Sequence, residues 1–212
     1  MTNVGERDDD GYYHLPGDRS YPSVTTVLDR LDKPELAAWK ANTPEGEQRK
    51  IMLRAQTIGS VVHRRCLDPL TPRTLPPEPV PMQYVGDEPF ISDVEMCCVL
   101  FRDVAGDLPI DEDSRIEHTL WSDHYGYAGT ADIITDDAII DLKTSRRIYD
   151  SVPMQLAAYA EAARERGVAD PTRGAAVHLD YRKDDATVHW FTDLETPFDD
   201  FVRLLNNDQP HQ

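Results

Sequence analysis

Two short apolar runs joined by a tight turn occupy the middle of the chain, and both carry charges. Residues 129–145 read GTADIITDDAIIDLKTS, and this pattern predicts two strands. Strands usually keep charged groups off a buried face, yet Asp132, Asp141 and Lys143 lie within or beside these two. Residues two apart in a strand point the same way, so Asp141 and Lys143 share a face. The turn brings Asp132 toward Asp141, which predicts two carboxylates and an ammonium group near one end of a sheet.

Such a cluster needs a partner, because charged groups are costly to bury alone. A divalent cation such as Mg²⁺ or Mn²⁺ offers one, since both ions prefer oxygen ligands. Lys143 could then orient or deprotonate a water molecule, or offset the charge that develops on a phosphate. The spacing of Asp141 and Lys143 is weak evidence by itself, because charged residues also occur at solvated strand edges.

The composition and charge of the chain limit the class of protein to which it can belong. Its 212 residues suffice for one sizeable core, and a hydrophobic content of 40% fits a globular protein. No run of about 18 apolar residues is present and the N-terminus is acidic, so we expect no membrane contact, no signal peptide and a cytoplasmic location. The net charge of −17 disfavours a passive nucleic-acid binder, whose phosphate contacts require lysine and arginine. A high-salt host and a GC-rich genome are two open explanations for that charge.

The segments before this sheet predict helices. Residues 21–42 predict two short helices, with Ser23 as the cap of the first and Pro34 opening the second. A longer helix is predicted over 44–68 from apolar residues at helical spacing, namely Ile51, Ala55, Ile58, Val62 and Cys66. The proline-dense residues 68–89 predict a surface connection without a helix or a central strand.

The remaining pattern completes one domain. In chain order it predicts a helix over 90–108, strands over 114–123, 125–135 and 138–145, a helix over 150–167, a hairpin over 174–194 and a helix over 196–207 that Thr196 caps. The order indicates a single α/β or α+β domain with a mixed central sheet flanked by helices. Within it, residues 1–110 form a helical part that carries His63, and residues 111–212 form the core sheet with its flanking helices.

The cysteines are Cys66, Cys97 and Cys98, an odd number without the spacing of a metal site. Adjacent Cys97 and Cys98 cannot easily bridge each other. We interpret all three as small buried apolar residues of a protein in a reducing compartment.

Several motifs carry a resemblance to a known family. Asp132, followed after a hairpin by Asp141-Leu142-Lys143, resembles the core motif of the PD-(D/E)XK nuclease superfamily. The stretches GSVVH, AGTAD, IIDLKTS and QLAAY occur in the order found in its RecB-type exonuclease branch. The resemblance implies an α/β restriction-endonuclease-like core and metal-dependent hydrolysis of phosphodiester bonds.

A narrower resemblance covers most of the chain. The stretches YPSVTTVL, KPELAAW and AVHLDYRKDDATVHWFTD are similar to the mitochondrial genome maintenance exonuclease group and its phage and prokaryotic relatives. This implies a DNA exonuclease that prefers single-stranded ends, with an N-terminal helical arch, acting in DNA repair, recombination or replication in a prokaryotic, archaeal or phage-infected cell. A loading or recombination partner protein would compensate for the acidic charge. Related CRISPR-associated nucleases hold an iron–sulfur cluster with four cysteines, including a group near the C-terminus. No cysteine follows Cys98 in this sequence, so we expect no cluster here.

The resemblance also assigns roles to single residues. The implied ligands of one or two Mg²⁺ or Mn²⁺ ions are His63, Asp132, Asp141 and the carbonyl oxygen of Leu142. The implied catalytic residues are Lys143, which positions the attacking water, with Asp132, Asp141, Glu117, Gln155 and Tyr159. Glu117 either joins the metal site or is a solvated strand residue. Gln155 and Tyr159 either orient the lysine strand and the nucleic-acid backbone or cap the core.

Substrate phosphates require a local basic track, because the overall charge is acidic. The residues expected along the DNA are Arg49, Lys50, Arg54, Arg64, Arg65, Arg146 and Arg147. Two other functions stay open. One is a structure-specific endonuclease with the same core, which would cut a closed circle. The other is a non-catalytic protein that binds partners through its acidic surface and holds no metal.

Overall fold

The computed structural model describes residues 7–71 and 80–206. The helices and strands follow in this order: β1 (Tyr12–Leu15), β2 (Arg19–Pro22), α1 (Val24–Leu28), α2 (Pro34–Asn42), α3 (Glu45–Leu67), α4 (Glu88–Ala105), β3 (Arg115–Ser122), β4 (Tyr127–Ile134), β5 (Ala138–Lys143), α5 (Ser151–Glu165), β6 (Arg173–Asp180), β7 (Asp185–Phe191) and α6 (Glu195–Asn206).

A five-stranded mixed sheet forms the centre, in the order β3-β4-β5-β6-β7. The strands β3, β4 and β5 pair antiparallel, β5 and β6 pair parallel, and β7 returns antiparallel to β6. The parallel step requires a crossover, and helix α5 supplies it. The predicted α/β architecture, with a mixed central sheet flanked by helices, is confirmed.

Helices cover both faces of the sheet, which explains why β5 begins with three consecutive apolar residues, 138–140. Ile139 is fully buried in a cluster with residues of α1, α5 and α6, whereas the adjacent Ile140 is fully buried in a second cluster with residues of α3 and α4. Burying one such side chain stabilises the fold by about 1.5–3 kcal/mol. The helices of the N-terminal part therefore share a core with the strands of the C-terminal part.

An N-terminal hairpin, β1 and β2, was not predicted. Tyr13 and Leu15 point to the same side of β1 and are buried against Ala128 of β4. The surrounding residues are polar and the strands are four residues long, so the sequence shows little strand pattern there. The β1–β2 hairpin is buried through its contact with the central sheet, and a local sequence pattern does not reveal such a contact.

The apolar stripe predicted along α3 is wrong in its first half. Ile51 is 44% exposed and Ala55 is also exposed, and burial begins only at Thr57. None of the nine described residues of α2 is buried either. The end of α2 and the start of α3 are joined by Gln48, whose amide donates to the carbonyl oxygens of Lys40 and Thr43 at 2.7 and 2.6 Å. A short hydrogen-bonded connection thus joins these two segments, and both are largely exposed.

Two further details differ from the prediction. Thr196 lies inside α6, and the cap is Asp193, whose carboxylate accepts the backbone N–H groups of Glu195 and Thr196 at 3.0 and 3.2 Å. The connection over 68–89 contains single 3₁₀ turns at Asp68–Leu70 and Met82–Tyr84, while its residues 72–79 lie outside the described residues. Across the described ranges, no helix combines the length and apolar character needed to cross a membrane.

Candidate metal centre

The site begins where β4 and β5 separate. Backbone pairing between these strands joins Ile134 to Ile139 and Ile133 to Ile140, and it stops before Asp132 and Asp141, which would be the next pair. The side chain of Asp132 fills the gap, because its Oδ2 accepts the backbone N–H of Leu142 at 2.7 Å. A buried backbone N–H requires a partner, so this contact fixes the Asp132 carboxylate at the point where the strands divide.

His63 reaches the same point from α3. Its Nδ1 lies 3.3 Å from Oδ1 of Asp132, and its Nε2 donates to the carbonyl oxygen of Leu142 at 2.8 Å. Burial alone would lower the pKa of His63, but the adjacent Asp132 carboxylate outweighs it and raises the pKa to about 9. The same pairing lowers the pKa of Asp132 against the opposing effect of its burial. Without a metal, the partly exposed His63 and the buried Asp132 therefore form an ion pair at neutral pH.

Glu117 completes the cluster through an unusual backbone conformation. It lies in β3 between the paired residues Ile116 and His118, yet its φ is 49°, in the left-handed region that non-glycine residues rarely adopt. By the register of β3 and β4 it stands opposite Asp132. Strain of about 1–3 kcal/mol at such a position is typical of functional sites. Here it accompanies a carboxylate directed at the candidate centre.

These three side chains form a possible ligand set. His63, Glu117 and Asp132 each offer one ligand atom, and the three atoms lie within 4.8 Å of one another. They line an open cavity of about 340 Å³ together with Gly59, Ser60, Arg64 and Thr130. One imidazole and two carboxylates suit Mn²⁺ and other divalent first-row ions, and the carboxylates suit Mg²⁺.

Asp141 lies beside this set in a network of its own. Its Oδ1 accepts from Nε2 of Gln155 at 2.9 Å, and Nζ of Lys143 lies 2.6 Å from its Oδ2 and donates to Oε1 of Gln155 at 2.9 Å. Within the described residues, Oδ2 is a buried atom with no hydrogen bond, so its contact with Lys143 is Coulombic attraction in a geometry poor for hydrogen bonding. Burial raises the pKa of Asp141, and Lys143 only partly offsets this. Oδ2 of Asp141 thus already faces one cationic group, the ammonium of Lys143, beside the candidate centre.

His63 Nε2 and the Leu142 carbonyl oxygen are 2.8 Å apart, so the imidazole and this carbonyl group meet at the same end of the sheet. The predicted ligands His63, Asp132 and Leu142 are thus brought together, with Asp141 adjacent and Glu117 as an added member.

Tyr159 lies behind this network, one helical turn after Gln155, whose Nε2 donates to the Tyr159 hydroxyl at 3.3 Å. The ring packs on the backbone of β4 at Gly129, where an added Cβ would stand 2.5 Å from Cε1 of Tyr159. This explains why a glycine precedes Asp132 by three positions. Burial raises the pKa of Tyr159 well above its ordinary value, so its hydroxyl stays neutral.

The predicted basic residues do not form one continuous track. Arg64 lines the cavity, and its Nε is buried and has no hydrogen-bond partner among the described residues. Arg54 is held away by Asp93 of α4 at 2.7 Å, and Arg49 pairs with Glu45 at 2.7 Å. Arg147 pairs with Glu35 at the start of α2. The other members, Lys50, Arg65 and Arg146, are exposed.

Sequence reasoning missed Ser60, Thr130 and Tyr13. The hydroxyls of Tyr13, Thr130 and Thr119 form a chain, with Oη–Oγ1 and Oγ1–Oγ1 distances of 3.0 and 3.1 Å. Ser60 and Thr130 lie inside the GSVVH and AGTAD stretches, so their motif position was a usable signal. Tyr13 comes from the N-terminal hairpin, and nothing local connects it to the site.

No protein-family model and no curated protein matches this chain. Among solved structures, a chain described as "Crystal structure of SSO0001" matches with a TM-score of 0.34 and 18% identical residues, over 59% of this chain and 64% of that chain. This chain therefore spans less than two thirds of that neighbour's length. A likeness this distant carries no argument about function.

Proposed function

We propose that this protein is a divalent-metal-dependent DNA exonuclease that hydrolyses phosphodiester bonds and prefers single-stranded ends. The observation that carries the proposal is the convergence of His63, Glu117 and Asp132 within 4.8 Å, directly beside the Asp141–Lys143 pair. The matching motifs of the PD-(D/E)XK nucleases support it, because they fall on these same residues. In this proposal the mixed sheet is a restriction-endonuclease-like core.

In this proposal the metal ligands and Lys143 have separate roles. Mg²⁺ or Mn²⁺, held by His63, Asp132 and Asp141 with Glu117 and the Leu142 carbonyl, would polarise the scissile phosphate and acidify a water molecule. Lys143 orients that water and offsets developing charge, since Asp141 and Gln155 hold its ammonium group at 2.6 and 2.9 Å.

The cavity wall supplies the phosphate contacts. Arg64 presents a buried Nε with no partner among the described residues, and a guanidinium binds phosphate oxygens well. Ser60 and Thr130 add hydroxyl groups beside it. Contacts of this kind position the strand and carry no sequence information, so we expect cleavage at any sequence.

The exposed helix α2 and the exposed first half of α3 support the preference for ends. From there α3 continues to His63, and Glu35 of α2 contacts Arg147 just after β5. In this proposal these two segments arch over the site and admit one strand but not a duplex. The acidic surface would weaken long-range attraction of DNA, so salt or a loading or recombination partner protein would assist binding.

The test compares linear and circular single strands of equal length and a linear duplex, each with Mg²⁺, Mn²⁺ or EDTA. We expect degradation of the linear single strand alone, and none in EDTA. Lys143→Ala is the matched control, because it should keep the metal and lose cleavage. Rapid cutting of the circle would assign the structure-specific endonuclease instead. Failure to bind any divalent cation would leave the non-catalytic partner-binding protein as the better interpretation.

A further inference from the structure

Two of the three cysteines face each other across a helix–helix contact. Cys66 lies near the end of α3 and Cys98 lies within α4, and their Sγ atoms are 4.0 Å apart. Cys97 is directed elsewhere, with its Sγ 3.9 Å from the carbonyl oxygen of Leu179 in β6. Cys66 and Cys97 are buried, whereas Cys98 is partly exposed. The sequence-based interpretation of all three as inert buried residues therefore does not fit Cys98.

The surroundings of Cys98 favour its thiolate. The Cys66 thiol hydrogen-bonds to it, and Arg65 and Arg102 are close, so its pKa falls to about 7 although burial opposes this. The pKa of Cys66 is raised by the same hydrogen bond and by burial, and burial raises that of Cys97 to about 12. A thiolate that is accessible and adjacent to a second thiol is the arrangement found in redox-sensitive cysteines.

We propose that Cys98 is a site of oxidation by hydroperoxides and that Cys66 resolves the product into an intramolecular disulfide. The Cys98 thiolate attacks one peroxide oxygen, the O–O bond breaks, and the departing hydroxide takes a proton to leave as water. Cys98 is then a sulfenic acid. Cys66 attacks its sulfur after losing a proton, and the second hydroxide leaves with that proton as water. Two thiols thus give two electrons to one hydrogen peroxide.

The geometry permits this bond and gives it a structural consequence. The two sulfurs must approach from 4.0 Å to about 2.05 Å, which requires the side chains to move. Cys66 lies three residues after His63, on the same side of α3. The disulfide would tie the helix that carries His63 to α4. The proposal concerns the thiols alone and does not depend on hydrolytic activity.

The test uses the full-length, metal-free, reduced protein treated with a small excess of hydrogen peroxide at pH 7. Wild-type protein should keep its oligomeric state, lose two hydrogen atoms in mass per chain, and change from three alkylatable thiols to one. Protease digestion without reductant should yield a linked peptide pair that contains Cys66 and Cys98. This readout needs no variant, so it holds even if a substitution prevents folding.

Three serine variants separate the roles. Cys97→Ser is the matched control and should still form the disulfide. Cys66→Ser should stop at an oxygenated Cys98, with a mass gain of oxygen, and Cys98→Ser should not react. The proposal is overturned if wild-type protein keeps all three thiols, if the linked peptides contain Cys97, or if the bond joins two molecules.

Discussion

The ion pair between His63 and Asp132 makes metal binding pH-dependent. A cation can bind the imidazole only after its proton leaves, and the pKa of His63 is about 9 in the metal-free protein. Because pH 7 lies two units below this pKa, removing the proton from His63 costs about 2.7 kcal/mol there, at about 1.36 kcal/mol per unit. Metal affinity should therefore be about 100-fold weaker at pH 7 than the limit reached well above pH 9, and should rise about tenfold per pH unit between pH 6.5 and 8.5.

Isothermal titration of Mn²⁺ at several pH values measures this slope. Repeating each titration in two buffers with different ionisation enthalpies counts the protons released, and we expect about one per Mn²⁺ at pH 7. His63→Gln is the control and should lose the slope. An affinity that does not change between pH 6.5 and 8.5, or an equal slope in His63→Gln, would refute this reasoning.

The same ion pair predicts how the stability of the metal-free protein depends on pH. The pKa of His63 in the folded protein, about 9, exceeds its ordinary value of 6.5. Its contribution is therefore fully present below about pH 6.5 and is lost as the pH rises through about 9. This contribution to the free energy of unfolding is on the order of 3 kcal/mol. Urea unfolding in EDTA at pH 6 and pH 9.5 would measure it, with His63→Gln as the reference variant.

Four further predictions concern the site. Asp141→Ala and Lys143→Ala should both abolish cleavage with the fold intact by circular dichroism, but calorimetry should show that only Asp141→Ala loses the metal, because it alone removes a ligand. Glu117→Gly should be more stable in urea than Glu117→Ala by about 1 kcal/mol, since glycine adopts the left-handed conformation without strain. Equal stability of the two variants would contradict backbone strain at this position. Gly129→Ala should destabilise the protein by about 1–3 kcal/mol, because its methyl group meets a buried tyrosine ring; an unchanged unfolding midpoint would show that the ring can move away. Arg64→Ala should weaken single-stranded DNA binding on all sequences alike and flatten its salt dependence, whereas a sequence-specific loss would assign it a base contact instead.

The central sheet could be predicted from the sequence because its signals are local. The apolar runs around Ile133 and Ile140 fix two strands, and the two-residue period places Asp141 and Lys143 on one face. The helical spacing of Gln155 and Tyr159 likewise predicted their shared side of α5. Each of these inferences needs only a few neighbouring residues.

The features that escaped prediction depend on distant contacts. The separation of β4 and β5, which lets Asp132 bind the Leu142 N–H, is a property of how the two strands meet. The left-handed backbone of Glu117 has no sequence signal, because glutamate rarely adopts it. Ile51 is exposed because no element within residues 7–71 and 80–206 covers it, which an apolar stripe within one helix cannot show.

The central claim is that a divalent cation held by His63, Glu117, Asp132 and Asp141 is required for cleavage of DNA. The most direct measurement adds Mn²⁺ stepwise to the full-length protein with linear single-stranded DNA, and follows bound Mn²⁺ by electron paramagnetic resonance while product is counted in the same samples. We predict no cleavage in EDTA and a rate that rises in proportion to the bound Mn²⁺, with both curves shifted together in Glu117→Gln. Undiminished cleavage in EDTA, or a rate that does not follow the bound Mn²⁺, would contradict the claim.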